Sequence, residues 1–189
     1  MNLLNIIKGR RSIRKYSDKK ISEEDLREIV EAGIWAPSGQ NRQPWYYVVI
    51  HSESEMKRVR NYFQGILPSL EEELKKSLPR HEEIIRETLD FTKDLGNADA
   101  VILAFLQKDY EDIVGAMYDS VAAGIQNMLL MAYSKEIGSC WQTSPRFIED
   151  ELRRYYAPGK GKLVGCVTLG YALEEGRATV RKDGRVKFL

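Results

Sequence analysis

Arg10-Arg11-Ser12-Ile13-Arg14 puts three guanidiniums and a hydroxyl within five residues. Such a set can hold a phosphate dianion through charge-assisted, often bidentate hydrogen bonds. In an extended stretch alternate residues share a side, so Arg10, Ser12 and Arg14 would converge while Arg11 and Ile13 face away. The same run reads equally well as a solvated charged face. A second candidate is the stretch Ala36–Trp45. It is dense in hydrogen-bonding groups and pinned by Pro37 and Pro44 ahead of an apolar, β-branched segment. Loops of this make-up suit a planar polar heterocycle. On composition alone, an ordinary helix–strand connection accounts for it better.

Other chemistries find no support. His81-Glu82 opens like a zinc-protease helix, but no second histidine follows at the spacing a ligand pair needs. Gly159-Lys160-Gly161 has Val164 where a dinucleotide fingerprint needs its third glycine, and it precedes an apolar run instead of following one. It reads as a surface turn. His51 and His81 are the only histidines and neither stands in a nucleophile pattern, so hydrolysis by a His-assisted nucleophile is not expected. Cys140 and Cys166 are too few for a metal cluster or a cysteine framework and read as small buried residues.

The elements that must position these residues can be read from periodicity and caps. Asn2–Lys8 forms a short helix with Leu3, Leu4, Ile6 and Ile7 on an apolar face. Ser22, with Asp25 three residues on and Ile21 and Leu26 as a staple, starts a helix whose core stripe is Leu26, Ile29, Val30 and Ile34. Pro37 ends it, and Ser38–Pro44 is loop. Tyr46–Ile50, Ala98–Leu106 and Leu163–Tyr171 read as buried strands. Ser54–Asp94 is helical with breaks at Gly65–Pro68 and Pro79, and Ile113–Ile137 is a long apolar helix with Gly138 as its C′ residue. Ser144-Pro145 provides the N-cap and first position of a helix reaching Tyr155. Helices outnumber strands without strict alternation, which predicts an α+β class.

The chain has 189 residues, with 29 Lys+Arg against 28 Asp+Glu and a net charge of +1. That length favours a single domain, 1–189. Near-zero charge argues against a nucleic-acid binder. The longest uncharged run, Ser120–Ser134, is shorter than the ~20 apolar residues of a membrane span. No signal-peptide pattern opens the sequence, and two cysteines suit a reducing compartment, so a cytoplasmic location is expected.

The arm Arg10–Arg14, the loop Pro37–Trp45 leading into Tyr46–Ile50, and Gly138-Ser139-Cys140-Trp141 followed by Leu163–Tyr171 together resemble the nitroreductase family of FMN-dependent oxidoreductases. Only Glu53–Gly96 lies outside the match. The resemblance implies a nitroreductase-like α+β fold, with a central, mostly antiparallel sheet flanked by helices, in an intertwined homodimer with FMN at the subunit interface. By position, Arg10 and Ser12, with Arg11 beside them, would bind the phosphate and ribityl end, and Arg14 would lie at the N1/O2 edge of the isoalloxazine. Pro37, Ser38, Gly39 and Asn41 would reach the flavin held mainly by the other subunit. Arg181 matches a phosphate-binding position. Cys140-Trp141-Gln142-Thr143 corresponds to backbone near flavin N5, which makes Trp141, Gln142 and Thr143 cofactor neighbours.

The implied reaction is ping-pong hydride transfer from NADH or NADPH, through the flavin, to a nitroaromatic, quinone or similar acceptor, with no metal and no catalytic side chain. A reductive dehalogenase or flavin-consuming relative, and a non-catalytic flavin- or anion-binding protein, are the alternatives; the first would need a lid, for which Glu53–Gly96 is the available segment. The chain departs from the family pattern in having Gly39 for a frequent second serine and Thr143 for a common glycine. Its Tyr62-Phe63-Gln64 lacks a matching asparagine, and its tail after Arg181 is short.

Overall fold

β2 (Ala100–Leu106) is seven consecutive apolar residues, and all seven are buried. Val101, Leu103 and Phe105 enter one apolar cluster, while Ala100, Ile102, Ala104 and Leu106 enter another. A strand covered on both faces reads as an unbroken apolar run, as this one does. β1 (Trp45–Ile50) and β4 (Leu163–Gly170) flank it, and β3 (Gly138–Gln142) lies beyond β4. The sheet order is β1-β2-β4-β3, and each neighbouring pair is antiparallel. β1 and β3 are therefore the opposite edges. The computed structural model describes residues 2–109 and 115–189.

Helices cover both faces. α2 (Glu23–Ile34) and α6 (Ala116–Ser134) close one side. α3 (Glu53–Gly65), α5 (Glu82–Asp94) and α7 (Glu149–Tyr156) close the other, with α4 (Leu67–Ser77) packed on α5. α1 (Leu3–Gly9) buries none of its residues. α2 starts as its sequence predicts: the Ser22 hydroxyl accepts from the Asp25 N–H at 3.0 Å and donates to the Asp25 carboxylate at 2.7 Å. Lys135 pairs with Asp25 at 2.8 Å and Glu28 at 2.6 Å, tying the end of α6 to α2. Lys135 first, and Ser22 second, hold the Asp25 carboxyl below its ordinary range.

Three expectations need correction. Gly138 is not a helix C′ residue: α6 ends at Ser134, Glu136 takes the left-handed turn at φ 61°, and Gly138 opens β3. The strand Gly-Ser-Cys-Trp-Gln is short and carries too little β-branched surface to announce itself. Ile34 is 48% exposed and does not join the core stripe of α2. Ser144 is not the cap of α7, because Ser144–Ile148 forms a 3₁₀ turn and α7 begins only at Glu149. The expected start of the long helix at Ile113 lies outside the described residues. Among the described residues, no helix is long and apolar enough to cross a membrane.

α2 and α6 meet through glycine. A methyl at Gly124 would lie 2.2 Å from the Tyr47 hydroxyl oxygen and 2.8 Å from the Gly33 carbonyl oxygen. The carbonyl belongs to a helix and cannot yield. Gly124→Ala should therefore destabilise by about 1–3 kcal/mol in urea unfolding, through overpacking, although Gly→Ala inside a helix otherwise stabilises by about 1 kcal/mol. A gain in stability would refute the close crossing.

Candidate cofactor-binding site

The arm's position follows from an unfilled sheet edge. Arg10 caps α1, its N–H donating to Ile6 O at 3.0 Å. The chain then runs beside β3, where Ser12 bridges Ser139 in parallel and the Ile13 N–H donates to Ser139 O at 3.0 Å. Alternate residues of such a strand take opposite sides. Arg11 and Ile13 take one: a methyl at Gly176 would lie 2.1 Å from Arg11 Cβ and 3.2 Å from Ile13 Cδ1. Arg11 is also engaged with its own backbone, donating to Lys8 O at 2.6 Å and Arg10 O at 2.8 Å.

Arg10, Ser12 and Arg14 act together on one group, the Cys140 thiol of β3. Burial pushes that thiol up from its ordinary pKa, while Arg14, Ser12 and Arg10 all work to lower it. All three thus lie within electrostatic reach of the middle of β3, while Ile13 packs in one apolar cluster with Cys140. Arg14 is anchored by its backbone: its N–H donates to Glu174 Oε1 at 2.7 Å, and its carbonyl rests against Gly96. Gly96 sits at φ 61°, and a methyl there would come within 2.0 Å of Arg14 O, so that turn requires glycine. The Arg14 guanidinium stays exposed, 6.0 Å from the Phe91 ring centroid of α5.

β3 carries two further donors. Gln142 is buried and its Nε2 has no partner, and Trp141 Nε1, half-buried against Gly165, has none either. Buried polar groups without partners are rare and point to a missing ligand or water. Ser139 turns its carbonyl outward to the arm, and in an antiparallel strand Trp141, two residues on, turns its N–H the same way. Guanidiniums, a hydroxyl, a free amide and an outward backbone N–H form a donor set that suits the phosphate and the acceptor-rich pyrimidine edge of FMN. Thr143 is exposed just past this strand.

The other expected residues lie elsewhere. Pro37, Gly39 and Asn41 are exposed, and Ser38 is half-buried, with its hydroxyl accepting from the Gln43 N–H at 3.0 Å. The loop is held in an uncommon form: Gln40, Asn41 and Gln43 all have left-handed φ, at 55°, 54° and 47°. Such backbone costs about 1–3 kcal/mol per residue and clusters at functional sites. The loop precedes β1, at the sheet edge opposite β3, so one subunit does not bring it to the arm. Arg181 lies in the exposed tail and donates to Thr179 O at 3.0 Å, and it too is not brought to the arm. Gln126 is exposed, and the half-buried Asn127 donates from Nδ2 to Ala32 O at 3.1 Å, so Asn127 serves the packing of α6 on α2. Glu174, Phe91, Tyr16 and Thr168 all support the arm and were not marked by any sequence motif; only Tyr16 lies near enough in sequence to be suspected.

The nitroreductase family profile matches residues 7–171. A protein of Archaeoglobus fulgidus that carries the name NADH dehydrogenase/NAD(P)H nitroreductase is 30% identical over 139 residues, which is 73% of this chain and 65% of that protein. A nitroreductase of Bacteroides fragilis, solved with bound FMN, superposes with a TM-score of 0.77 at 27% identity, covering 100% of this chain and 99% of that one. A BluB-like flavoprotein of Clostridium difficile 630 reaches a TM-score of 0.82 at 24% identity over 100% and 99% of the two chains, a likeness of fold. The chain belongs to the nitroreductase family and has its α+β fold.

Both cysteines are free and buried, and burial raises both thiols above their ordinary range. Neither should react with a disulfide reagent at pH 8 in the folded protein, and both should react once urea unfolds it. Rapid labelling of Cys140 in the native state would show the arm standing off β3.

Proposed function

We propose that the protein is an FMN-dependent oxidoreductase that takes hydride from NADH or NADPH and delivers it to an electron-poor acceptor, a nitroaromatic, quinone or related compound. What supports this reading is the cationic arm Arg10–Arg14 seated on the β3 edge through Ser12 and Ile13, with the unpartnered Gln142 amide on the same strand. Bound FMN supplies two-electron chemistry at its N5, alternating between donor and acceptor in one place. Arg10 and Ser12 hold the phosphate and ribityl end. Arg14 would hold a fixed positive charge beside the N1/O2 edge of the flavin, which would favour its reduced form. The outward N–H of Trp141 and the Gln142 amide are the donors on β3 that would be available to the ring. No side chain acts as nucleophile or obligatory acid.

The proposal extends to assembly. Leu3, Leu4 and Ile7 on α1, and Trp35 at the end of α2, 78% exposed, are large apolar side chains that a lone chain leaves in water. A homodimer covers it and lets the partner's loop, Pro37 to Asn41, complete the site from the far side. Arg181 then reaches the phosphate in the dimer. The whole chain, 1–189, acts as one FMN-binding domain in the cytoplasm, with no nucleic-acid or membrane partner.

A visible spectrum tests this. The protein should show a flavin spectrum as purified or after FMN is added, bleach under NADH or NADPH without oxygen, and recover with a nitroaromatic or quinone. Flavin that does not bleach would favour a flavin store or a flavin-consuming relative. Arg10→Ala and Arg11→Ala should separate two roles. Losing a charged hydrogen bond to phosphate should weaken FMN binding by roughly tenfold or more in Arg10→Ala. Arg11→Ala should mainly lower the thermal midpoint, because its guanidinium serves Lys8 O and Arg10 O. The reverse pattern would exchange the two assignments.

A further inference from the structure

Tyr16 is 1% exposed and lies two residues beyond the arm. Its hydroxyl stands 2.5 Å from Ile13 O and 3.0 Å from Thr168 Oγ1, and Thr168 is fully buried on β4. Proton accounting fixes the directions. A carbonyl only accepts, so the Tyr16 hydroxyl donates to Ile13 O, and its oxygen then accepts from Thr168. Thr168 Oγ1 also lies 3.4 Å from Cys140 O, which can only share the same single proton as the longer arm of a bifurcated bond. The groups Ile13 O, Tyr16, Thr168 and Cys140 O therefore stand in one line from the Ile13–Arg14 peptide to the Cys140–Trp141 peptide, with the Thr168 proton shared at the β3 end. Burial raises the Tyr16 phenol far above its usual range, so it remains a donor throughout the working pH range.

Three more contacts hold Tyr16 in place. Its N–H donates to Gly96 O at 2.9 Å, and the next N–H, of Ser17, donates to Tyr171 O at 2.8 Å. Its ring lies against Gly170, where a methyl would sit 2.8 Å from Tyr16 Cβ, Cγ and Cδ1. The ring's packing and the hydroxyl's bonding are thus separable functions of one residue.

From this geometry we infer that Tyr16 and Thr168 are positioning residues, which fix the arm's cationic side chains and the β3 backbone relative to each other and so preorganise the flavin site. This rests on the FMN reading above. Without the hydroxyl, Ile13 O stays buried and unpaired, the arm loosens, and ordering it at the moment of binding comes off the affinity. The direction in which Arg14 approaches the ring would change with it.

The test compares wild type, Tyr16→Phe, Thr168→Val and Thr168→Ser, adding FMN to flavin-free protein. Tyr16→Phe keeps the ring and should weaken FMN binding by about tenfold, the effect of one buried acceptor left unpaired. It should also shift the visible spectrum and reduction potential of the bound flavin. Thr168→Val should act the same way to a smaller extent, and Thr168→Ser, which keeps the hydroxyl, should restore wild-type values. Circular dichroism checks that each variant is folded. Wild-type affinity, spectrum and potential in folded Tyr16→Phe would overturn the inference and leave the FMN reading intact, making the hydroxyl merely structural. If Tyr16→Phe does not fold, Thr168→Val against Thr168→Ser decides by the same readouts. A wild-type protein that takes up no FMN would overturn both.

Discussion

The outer edge of β3 is the constraint from which the site follows. An edge strand presents unpaired N–H and C=O groups, and proteins cover such edges. Here the chain covers its own edge with the arm, through the Ser12–Ser139 bridge and the Ile13 N–H to Ser139 O. That single pairing sets the arm's register, and register decides sides: a slip of one residue would exchange the sides taken by Arg10, Ser12 and Arg14 and by Arg11 and Ile13, and would turn Ile13 away from Gly138. The pairing is short, so its surroundings must hold it. Gly138 leaves room for the Ile13 side chain, Gly96 lets the Arg14 carbonyl close in, and Glu174 takes the Arg14 N–H.

The sheet behind the edge has a different kind of stability. β2 and β4 are buried along their whole length, and two apolar clusters press on them from opposite faces. Burial at about 25 cal/mol per Å² makes that layer the main reservoir of folding energy. It gives the arm a rigid wall. The site itself is built of donors with few acceptors nearby, as a binding surface for an anionic, acceptor-rich ligand should be. Glu174 and the Glu87–Arg177 pair, at 2.6 Å, keep the local charge from being uniformly positive.

Much of this was legible in the sequence, for reasons that can be named. β2 announces itself because a two-faced strand is an unbroken apolar run. α2 does so because Ser22 and Asp25 form a reciprocal cap, and the breaks around Gly65–Pro68 and Pro79 because proline cannot continue a helix. The alternation of the arm followed from extended geometry alone. β3 was not legible as a strand: its register is imposed by β4 and the arm, neither of which is local to it. The exposure of Ile34 was equally hidden, because an apolar residue at a helix end reads as core until its neighbours are known. Tyr16 and Thr168 lie far apart in the chain, and only the fold makes them partners.

The central claim is that the arm and β3 together form the cofactor site, and hydrogen exchange of the protein with and without added FMN tests it most directly. The account predicts that amides of residues 10–14 and 139–143 slow together when FMN is added, while the buried amides of β2 stay unchanged. FMN bound with no slowing in those two segments, or with slowing confined to the tail 177–189, would contradict it and move the site away from the β3 edge.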